Sequence, residues 1–197
     1  MNLTREKLLA IFRTTKALQR GHFELASGLH SGHYFQCAQF LQYPPIAATV
    51  CRALAERFKS KRPTVVVGPA IGGIVVSYEI ARALGVHAIY AERVDAEMQL
   101  RRGFAITKKD RVLIVEDVIT TGESARKVGE LVEALGAKVV GVGVLVDRTG
   151  GKVKFGRWKY ERLFTLGFEH FTPHDCPLCK ERVPLVHPGS LRRRVVV

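Results

Sequence analysis

Two adjacent carboxylates, Glu116 and Asp117, follow the hydrophobic run VLIV at residues 112–115. A turn of hydroxyls and glycine, Thr120-Thr121-Gly122-Glu123-Ser124, comes directly after them. Neighbouring carboxylates can accept hydrogen bonds from a vicinal diol. A glycine turn that opens a helix presents unpaired N–H groups, which bind an anion together with the hydroxyls. The segment therefore suits a sugar phosphate; the alternative, an acidic pair that only binds Mg²⁺, is disfavoured by the Thr-Thr-Gly-x-Ser continuation.

The elements that must position this segment follow a repeated pattern from residue 63 onward. Val- and Ile-rich runs predict strands at 64–69, 87–93, 111–118 and 137–148, and helical patterns separate them at 72–85 and 122–136. Continuous apolar strands alternating with helices indicate a parallel sheet covered on both faces. We therefore predict a doubly wound α/β fold. In such a sheet ligands bind beyond the carboxyl ends of the strands, where Glu116 and Asp117 would lie.

The flanking segments predict additions to this core. Residues 3–18 have helical spacing, residues 22–36 indicate short strands and a turn, and a helix begins at Pro44 and runs to about Lys59. Residues 94–104 predict a polar, charged loop, residues 161–168 a strand, and the rest a Pro- and Arg-rich tail. We predict a single domain over 1–197, with N-terminal helices and a hood over about 1–62, the core sheet over about 63–170 and the tail over about 171–197.

Composition restricts the class of protein. The chain has 197 residues and a formal net charge of +13, which would suit nucleic acid, a membrane surface or a small polyanionic substrate. Four cysteines are too few for a disulfide framework in a chain of this length. The N-terminal sequence has too short an apolar run for a signal peptide, and glycines interrupt the longest apolar stretch. We expect a cytoplasmic protein.

The segment VLIVEDVITTGES resembles the phosphoribosyl-diphosphate (PRPP) signature of type I phosphoribosyltransferases. Other stretches, in the same order, resemble the orotate branch of that family in its short, Thermus-like bacterial form: SGLHSGHYFQ, GPAIGGIVVSYEIARALG, AERVDAEMQLRRGF, GVLVDR and CPLCKERVPLVHPGS. The resemblance implies a mostly parallel sheet with a small hood made from both chain ends. It also implies transfer of the phosphoribosyl group from PRPP to orotate in pyrimidine biosynthesis, giving orotidine 5′-phosphate and diphosphate, with Mg²⁺ on the diphosphate.

The resemblance also implies roles for individual residues. The catalytic candidates are Arg93, Arg101, Arg102 and Asp117. The PRPP-binding candidates are Glu116, Asp117, Val118, Ile119, Thr120, Thr121, Gly122, Glu123 and Ser124, with Glu123 required to point away from the phosphate. The diphosphate-binding candidates are Gly68, Pro69, Ala70, Ile71, Gly72 and Gly73, and the orotate-binding candidates are Thr120, Tyr34, Phe35 and Arg148. Arginine can hold the carboxylate of orotate with two hydrogen bonds, while core packing is the alternative for Tyr34 and Phe35.

The sequence departs from the family pattern in two places. Ala26-Ser27-Gly28 stands where the family has Lys-Ser-Gly, and neither lysine nor histidine lies between Arg93 and Gly103. The arginines of this region are then the cations left to neutralise diphosphate. Family members are dimers in which this loop serves the neighbouring site, so we expect a homodimer with shared active sites.

Three further interpretations stay open. A purine-base phosphoribosyltransferase is one alternative, and a PRPP-sensing transcriptional regulator of the same fold is another; a recognisable DNA-binding module does not precede the core, so we expect no nucleic-acid partner and no membrane partner. Cys176-x-x-Cys179, with His170 and His174 nearby, has enough ligands for a structural zinc. One CxxC is a weak signal, however, and a packed thiol pair explains it, so we predict no metal bound by the protein alone.

Overall fold

The computed structural model describes residues 3–25 and 27–188. The elements along the chain are α1 (Arg5–Thr14), β1 (Leu18–Glu24), β2 (His30–Phe35), α2 (Ala38–Leu41), α3 (Pro44–Ala55), a 3-10 helix (Glu56–Lys61), β3 (Val65–Pro69), α4 (Gly72–Leu84), β4 (His87–Val94), β5 (Glu97–Leu100), β6 (Arg111–Ile119), α5 (Glu123–Ala134), β7 (Lys138–Asp147), β8 (Tyr160–Thr165), α6 (Pro177–Lys180) and β9 (Leu185–Val186). Ala26, where the family has lysine, lies outside the described residues, as do the last residues of the chain. None of the described helices is long and apolar enough to cross a membrane.

The central sheet has six strands in the order β5-β4-β3-β6-β7-β8. Each neighbouring pair is parallel except β4 and β5, which are antiparallel. The chain passes from β3 to β4 on one side and then crosses to β6 on the other, so the strand order reverses between β3 and β6. A reversal of this kind leaves a crevice at the carboxyl ends of the two strands, which is where such sheets bind ligands. The predicted doubly wound α/β fold is confirmed.

Side chains of β6 alternate between two separate cores. Leu113 and Val115 pack on one face of the sheet with residues of α1, α3 and α4, whereas Val112 and Ile114 pack on the other face with residues of α5. All four are fully buried. Because both faces are covered, this strand is a continuous apolar run rather than an alternating one.

The hood consists of β1, β2 and β9. β1 and β2 form an antiparallel hairpin, and β9, from the far end of the chain, pairs with β1 in parallel. His30 also exchanges backbone hydrogen bonds with Phe171, at 2.8 and 2.9 Å. The hood therefore joins residues near the start of the chain to residues near its end.

Three predicted elements need correction. The first helix ends at Thr14 rather than at residue 18, because Lys16 has a left-handed φ of 58° and Leu18 begins β1. Residues 94–104 are not simply a loop: β4 and β5 form a hairpin whose turn at Asp95 and Ala96 has positive φ, and Met98 in β5 is buried. The region after residue 171 is not simply a tail, since it contains α6 and β9.

Candidate active site

Glu116 and Asp117 lie near the carboxyl end of β6, and the carboxylate of Asp117 faces the turn between β3 and α4. A Cβ atom placed on Gly72, the first residue of α4, would stand 2.5 Å from Asp117 Oδ1. Cys37, which follows β2, donates from its thiol to the backbone carbonyl of Asp117 at 3.4 Å. Asp117 is therefore held between the turn after β3 and the segment that leaves the hood.

Burial dominates the electrostatics of this pair. Burial and, after it, the neighbouring charge of Asp117 raise the pKa of Glu116 to about 8, against the lowering effect of Arg93. Burial also raises the pKa of Asp117, against the effect of the backbone N–H groups of Val118 and of Asp117 itself. Glu116 Oε2 is buried without a hydrogen-bond partner among the described residues. Since buried polar atoms are nearly always hydrogen-bonded, this oxygen indicates a group that arrives with a ligand.

The turn after β6 is the candidate anion-binding cradle, at the N-terminus of α5. Gly122 is the N-cap of α5 with a left-handed φ of 75°, and a Cβ atom there would lie 2.9 Å from the ring of Phe155. A residue with a side chain is thus disfavoured at this position both by the left-handed φ and by the space that Phe155 occupies. Thr121 Oγ1 accepts from the N–H of Glu123 at 3.3 Å. The hydroxyl side chains of Thr120 and Thr121 are exposed, and that of Ser124 is half-buried.

Glu123 points away from the cradle. Its carboxylate is exposed and forms ion pairs with Arg93 at 3.7 Å and with Lys127 at 3.6 Å. This orientation satisfies the requirement that the side chain not face a bound phosphate. It also places Arg93, at the end of β4, beside the PRPP segment.

Val118 and Ile119 contribute backbone rather than side chains to the segment. Both side chains pack in the two cores, and Ile119 is almost fully buried. The carbonyl of Ile119 accepts from the N–H of Arg148 at 2.9 Å, which aligns the ends of β6 and β7.

The turn from Gly68 to Gly73 has no room for side chains at its glycines. A Cβ atom on Gly68 would overlap the carbonyl of Gly73, and one on Gly73 would lie 2.9 Å from Pro69 Cδ. The Ala70–Ile71 peptide is cis, and the side chain of Ile71 is exposed. The backbone of this turn thus lies next to the Asp117 carboxylate, at the start of α4 and its N-terminal dipole.

Arg148 lies half-buried just after β7, in an aromatic setting. Its guanidinium carbon is 6.0 Å from the centroid of the Phe168 ring, and His33 stacks on the same ring at 5.0 Å. Burial lowers the pKa of Arg148, whereas the nearby Tyr34 raises it. An arginine against aromatic rings can bind a planar anion by stacking and by two hydrogen bonds.

Phe35 does not belong to this group, which corrects the prediction that it lines the base site. The ring is 3% exposed and packs edge-on against Phe12 at 5.0 Å. Successive side chains of a strand point to opposite faces, so Tyr34 and Phe35 in β2 cannot both face the site. Tyr34 remains the candidate.

Arg101 and Arg102 lie apart from the acidic pair. Both pair with Glu92, and Arg102 does so through two hydrogen bonds of 2.8 and 3.3 Å. Their side chains are exposed, whereas the Glu92 carboxylate is largely covered. Of the predicted catalytic cations, Arg93 is the one that the fold places beside the PRPP segment of the same chain.

Several residues around Arg148 escaped the sequence analysis. Phe168 and His33 form the stack described above, and burial, together with the charge of Arg148, lowers the pKa of His170. Asp147 is fully buried and accepts from the N–H and hydroxyl of Thr149, at 2.7 and 2.6 Å, which fixes the turn that presents Arg148. The sequence does offer a signal for Asp147, since it is an acidic residue at the end of an apolar strand. Phe168, His33 and His170 come together through tertiary contacts, so no local sequence pattern indicates them.

Comparison with known proteins places this site in a family. Residues 36–164 match the family model described as the phosphoribosyl transferase domain. The orotate phosphoribosyltransferase of Caldanaerobacter subterraneus subsp. tengcongensis is 52% identical over 188 residues, covering 95% of this chain and 98% of that protein. That of Pelotomaculum thermopropionicum is 53% identical with the same coverage. Among solved structures, orotate phosphoribosyltransferase from Aeropyrum pernix has a TM-score of 0.68 at 25% identity, covering 81% of this chain and 93% of that chain.

These similarities extend beyond the PRPP segment. The family model spans more than half of the chain, and the curated relatives match it over nearly its whole length, including the hood and the CxxC segment. The family inferred from ordered motifs is thereby confirmed, and the chain belongs to the phosphoribosyltransferase family, in its orotate branch.

Proposed function

We propose that this protein transfers the phosphoribosyl group of PRPP to orotate, producing orotidine 5′-phosphate and diphosphate in pyrimidine biosynthesis. The observation that carries the proposal is the unpartnered Glu116 oxygen beside Asp117, on a strand that leads into the glycine N-cap of α5 at Gly122. A sugar phosphate has hydroxyls that can donate to the carboxylates and a phosphate that the turn at Gly122 can bind. The shared name of relatives about half identical to this chain supports orotate as the acceptor.

In the proposed mechanism the protein positions the reactants rather than attacking them. Glu116 and Asp117 accept hydrogen bonds from the ribose hydroxyls, and the cradle at Gly122 binds the 5-phosphate. The leaving diphosphate lies on the backbone of the Gly68–Gly73 turn, with Arg93 as the nearby cation. Loss of diphosphate builds positive charge on the ribose carbon, as in glycoside chemistry. In their ionised form the buried carboxyl groups favour this charge, because fixed, poorly solvated groups stabilise a transition state better than water does.

Arg148 would bind the carboxylate of orotate. Its position over Phe168 and near Tyr34 offers a flat, partly apolar surface for the ring together with a cation for the acid group. A purine lacks this acid group, so Arg148 argues for a pyrimidine acid over the purine alternative. The adenine phosphoribosyltransferases among the similar structures are 20% and 22% identical, a level that reflects the fold alone.

Magnesium is proposed to accompany the diphosphate. Mg²⁺ takes oxygen ligands and is usually held by one or two carboxylates together with substrate phosphates. Asp117, which adjoins the Gly72 turn, and Glu116, which has an unpartnered oxygen, fit as such carboxylates. Bound there, Mg²⁺ would neutralise charge on the leaving group.

We also propose a cytoplasmic homodimer with shared sites. All four cysteines are free, as suits a reducing compartment. Apolar side chains are exposed around α4 and the start of α3, namely Tyr43, Ile71, Val75 and Tyr78, and such a surface next to a site is typical of a subunit interface. The outward orientation of Arg101 and Arg102 leaves them available to a neighbouring subunit.

The decisive experiment is an assay of PRPP-dependent orotate consumption with Mg²⁺. Adenine and hypoxanthine are tested as alternative acceptors, and Asp117→Asn is assayed alongside the natural protein. We expect turnover with orotate alone. Removing one charged acceptor of the ribose diol costs about 1.5–3 kcal/mol, or roughly ten- to a hundredfold in kcat/KM. Turnover of a purine instead would establish the purine alternative. Tight PRPP binding without turnover of any base would favour a PRPP-sensing regulator.

A further inference from the structure

Two histidines and two cysteines converge at the hood. His22 lies on β1 and His30 on β2, while Cys176 and Cys179 flank the start of α6. One ligand atom from each of the four lies within 4.8 Å of all the others. His22, His30 and Cys176 are buried, and Cys179 lies nearer the surface.

The four ligand atoms are spaced as ligands of one small cation. Cys176 Sγ is 3.4 Å from His22 Nε2, and Cys179 Sγ is 3.7 Å from the same nitrogen and 3.3 Å from His30 Nδ1. Tetrahedral zinc with ordinary Zn–N and Zn–S bonds requires ~3.3–3.8 Å between ligand atoms. The two histidine nitrogens are 2.9 Å apart, so they need to separate by only ~0.4 Å to fit that geometry.

A backbone contact fixes the histidine tautomer that a metal needs. His22 Nδ1 lies 2.8 Å from the carbonyl oxygen of Val183. A carbonyl can only accept, so Nδ1 carries the proton and the lone pair of Nε2 faces the cluster. A histidine ligand whose other nitrogen donates to a backbone carbonyl is the usual arrangement around protein-bound metals.

From this geometry we propose that the protein binds one structural Zn²⁺ through His22 Nε2, His30 Nδ1, Cys176 Sγ and Cys179 Sγ. Two nitrogens and two thiolates in a tetrahedron suit zinc above the hard cations, and four protein ligands leave no open position for catalysis. Two thiolates also balance the charge of the ion in a buried place. The histidines nearest to the CxxC motif in sequence, which were weighed before no metal was predicted, are not among these four ligands: His174 is almost fully exposed, and His170 lies by Arg148.

The zinc would join the two ends of the chain. Its ligands come from both strands of the β1–β2 hairpin and from the segment that leads into β9. β2 then continues to His33 and Tyr34, so the ion would brace the strand that carries residues of the proposed base site. This proposal does not depend on the identity of the substrate.

The test is the metal content of the full-length protein, purified under reducing conditions without a metal-affinity column. We expect about one zinc per chain in the natural protein and in the control His174→Ala. In Cys179→Ser and in His22→Ala the zinc content should be lower by roughly tenfold or more. Cys179 is near the surface, so its serine variant should fold even if the buried positions do not tolerate change. Cobalt in place of zinc should give the intense visible bands of tetrahedral coordination together with thiolate charge transfer, and Cys179→Ser should reduce the intensity of the charge-transfer band because one of the two thiolates is lost.

Some results would overturn the proposal. One is a natural protein that contains no zinc and takes up neither Zn²⁺ nor Co²⁺ when reduced. Another is a Cys176–Cys179 disulfide, seen by mass spectrometry, in protein kept under reducing conditions. Equal zinc in Cys179→Ser and the natural protein would likewise exclude this ligand set.

Discussion

Asp117 and Gly72 are in direct contact: the carboxylate lies so close to the backbone of the turn that a Cβ atom on Gly72 would stand 2.5 Å from Oδ1. The proposed ribose-binding acid and the proposed diphosphate-binding turn are therefore immediate neighbours, and a side chain added at Gly72 would displace the Asp117 carboxylate.

Gly72→Ala should lower kcat/KM with little effect on the thermal stability of the protein. The added methyl group must push the Asp117 carboxylate aside, and we expect a fall in kcat/KM of roughly tenfold or more, about 1.4 kcal/mol. Alanine is the better helix former by about 1 kcal/mol, so the melting temperature should fall little or rise. Gly167→Ala is the matched control, because a Cβ atom there meets nothing within 4 Å. Unchanged kinetics in Gly72→Ala would show that the carboxylate position does not matter for turnover.

Glu116 should make the ligand-free protein less stable as the pH rises. Burial raises the pKa of Glu116 in the folded state to about 8, whereas an unfolded chain titrates near ~4.3. Between these values the folded state holds the extra proton, so the free energy of unfolding is largest at the acidic side and falls as the pH increases. The slope from this residue is at most about 1.4 kcal/mol per pH unit.

Urea unfolding across this window measures the effect, and Glu116→Gln should flatten the profile. Glu130→Gln, which changes an exposed carboxylate of α5, is the control and should retain the slope. Identical profiles for the natural protein and Glu116→Gln would mean that Glu116 is already ionised in the folded protein.

Arg148→Ala should weaken the binding of orotate far more than the binding of PRPP. An unpaired carboxylate in a closed site costs on the order of 1–3 kcal/mol, or roughly ten- to a hundredfold in the KM for orotate. The KM for PRPP should change little, since the guanidinium faces Phe168 and Tyr34 rather than the cradle. An equal rise in KM for both substrates would indicate that Arg148 supports the ends of the strands rather than binding orotate.

The sequence predicted the parts of this structure that depend on local pattern. Apolar runs such as VLIV were enough to predict the parallel sheet. The cradle could be predicted because it needs a glycine at the start of a helix, and Gly122 is visible at that position in the sequence. The position of Phe35 was missed because the resemblance gave two adjacent aromatics one role, while the two-residue period of a strand separates them. The His22–Cys176 cluster was missed because its members are 154 residues apart and are brought together by tertiary contacts, namely the pairing of β9 with β1 and the bridge between His30 and Phe171.

The remaining prediction concerns the arginines of the β4–β5 hairpin and the neighbouring subunit. Arg101 and Arg102 are exposed and pair with Glu92, whereas Arg93 already lies beside the PRPP segment of its own chain. If the first two serve the neighbour's diphosphate, a dimer site consists of the acidic pair of one subunit and the hairpin arginines of the other. Two different lesions on separate chains should then complement each other.

Mixing Arg101→Ala/Arg102→Ala subunits with Asp117→Asn subunits, each nearly inactive alone, tests this arrangement. Equal amounts that exchange freely should regain about a quarter of the normal activity, because half of the dimers are mixed and each of these has one intact site. If the hairpin serves its own subunit, every site carries one lesion and mixing restores nothing. Subunit exchange must be verified independently, for example with a tagged and an untagged chain. No recovery in a mixture shown to exchange would rule out shared sites and leave the transferase activity itself unaffected.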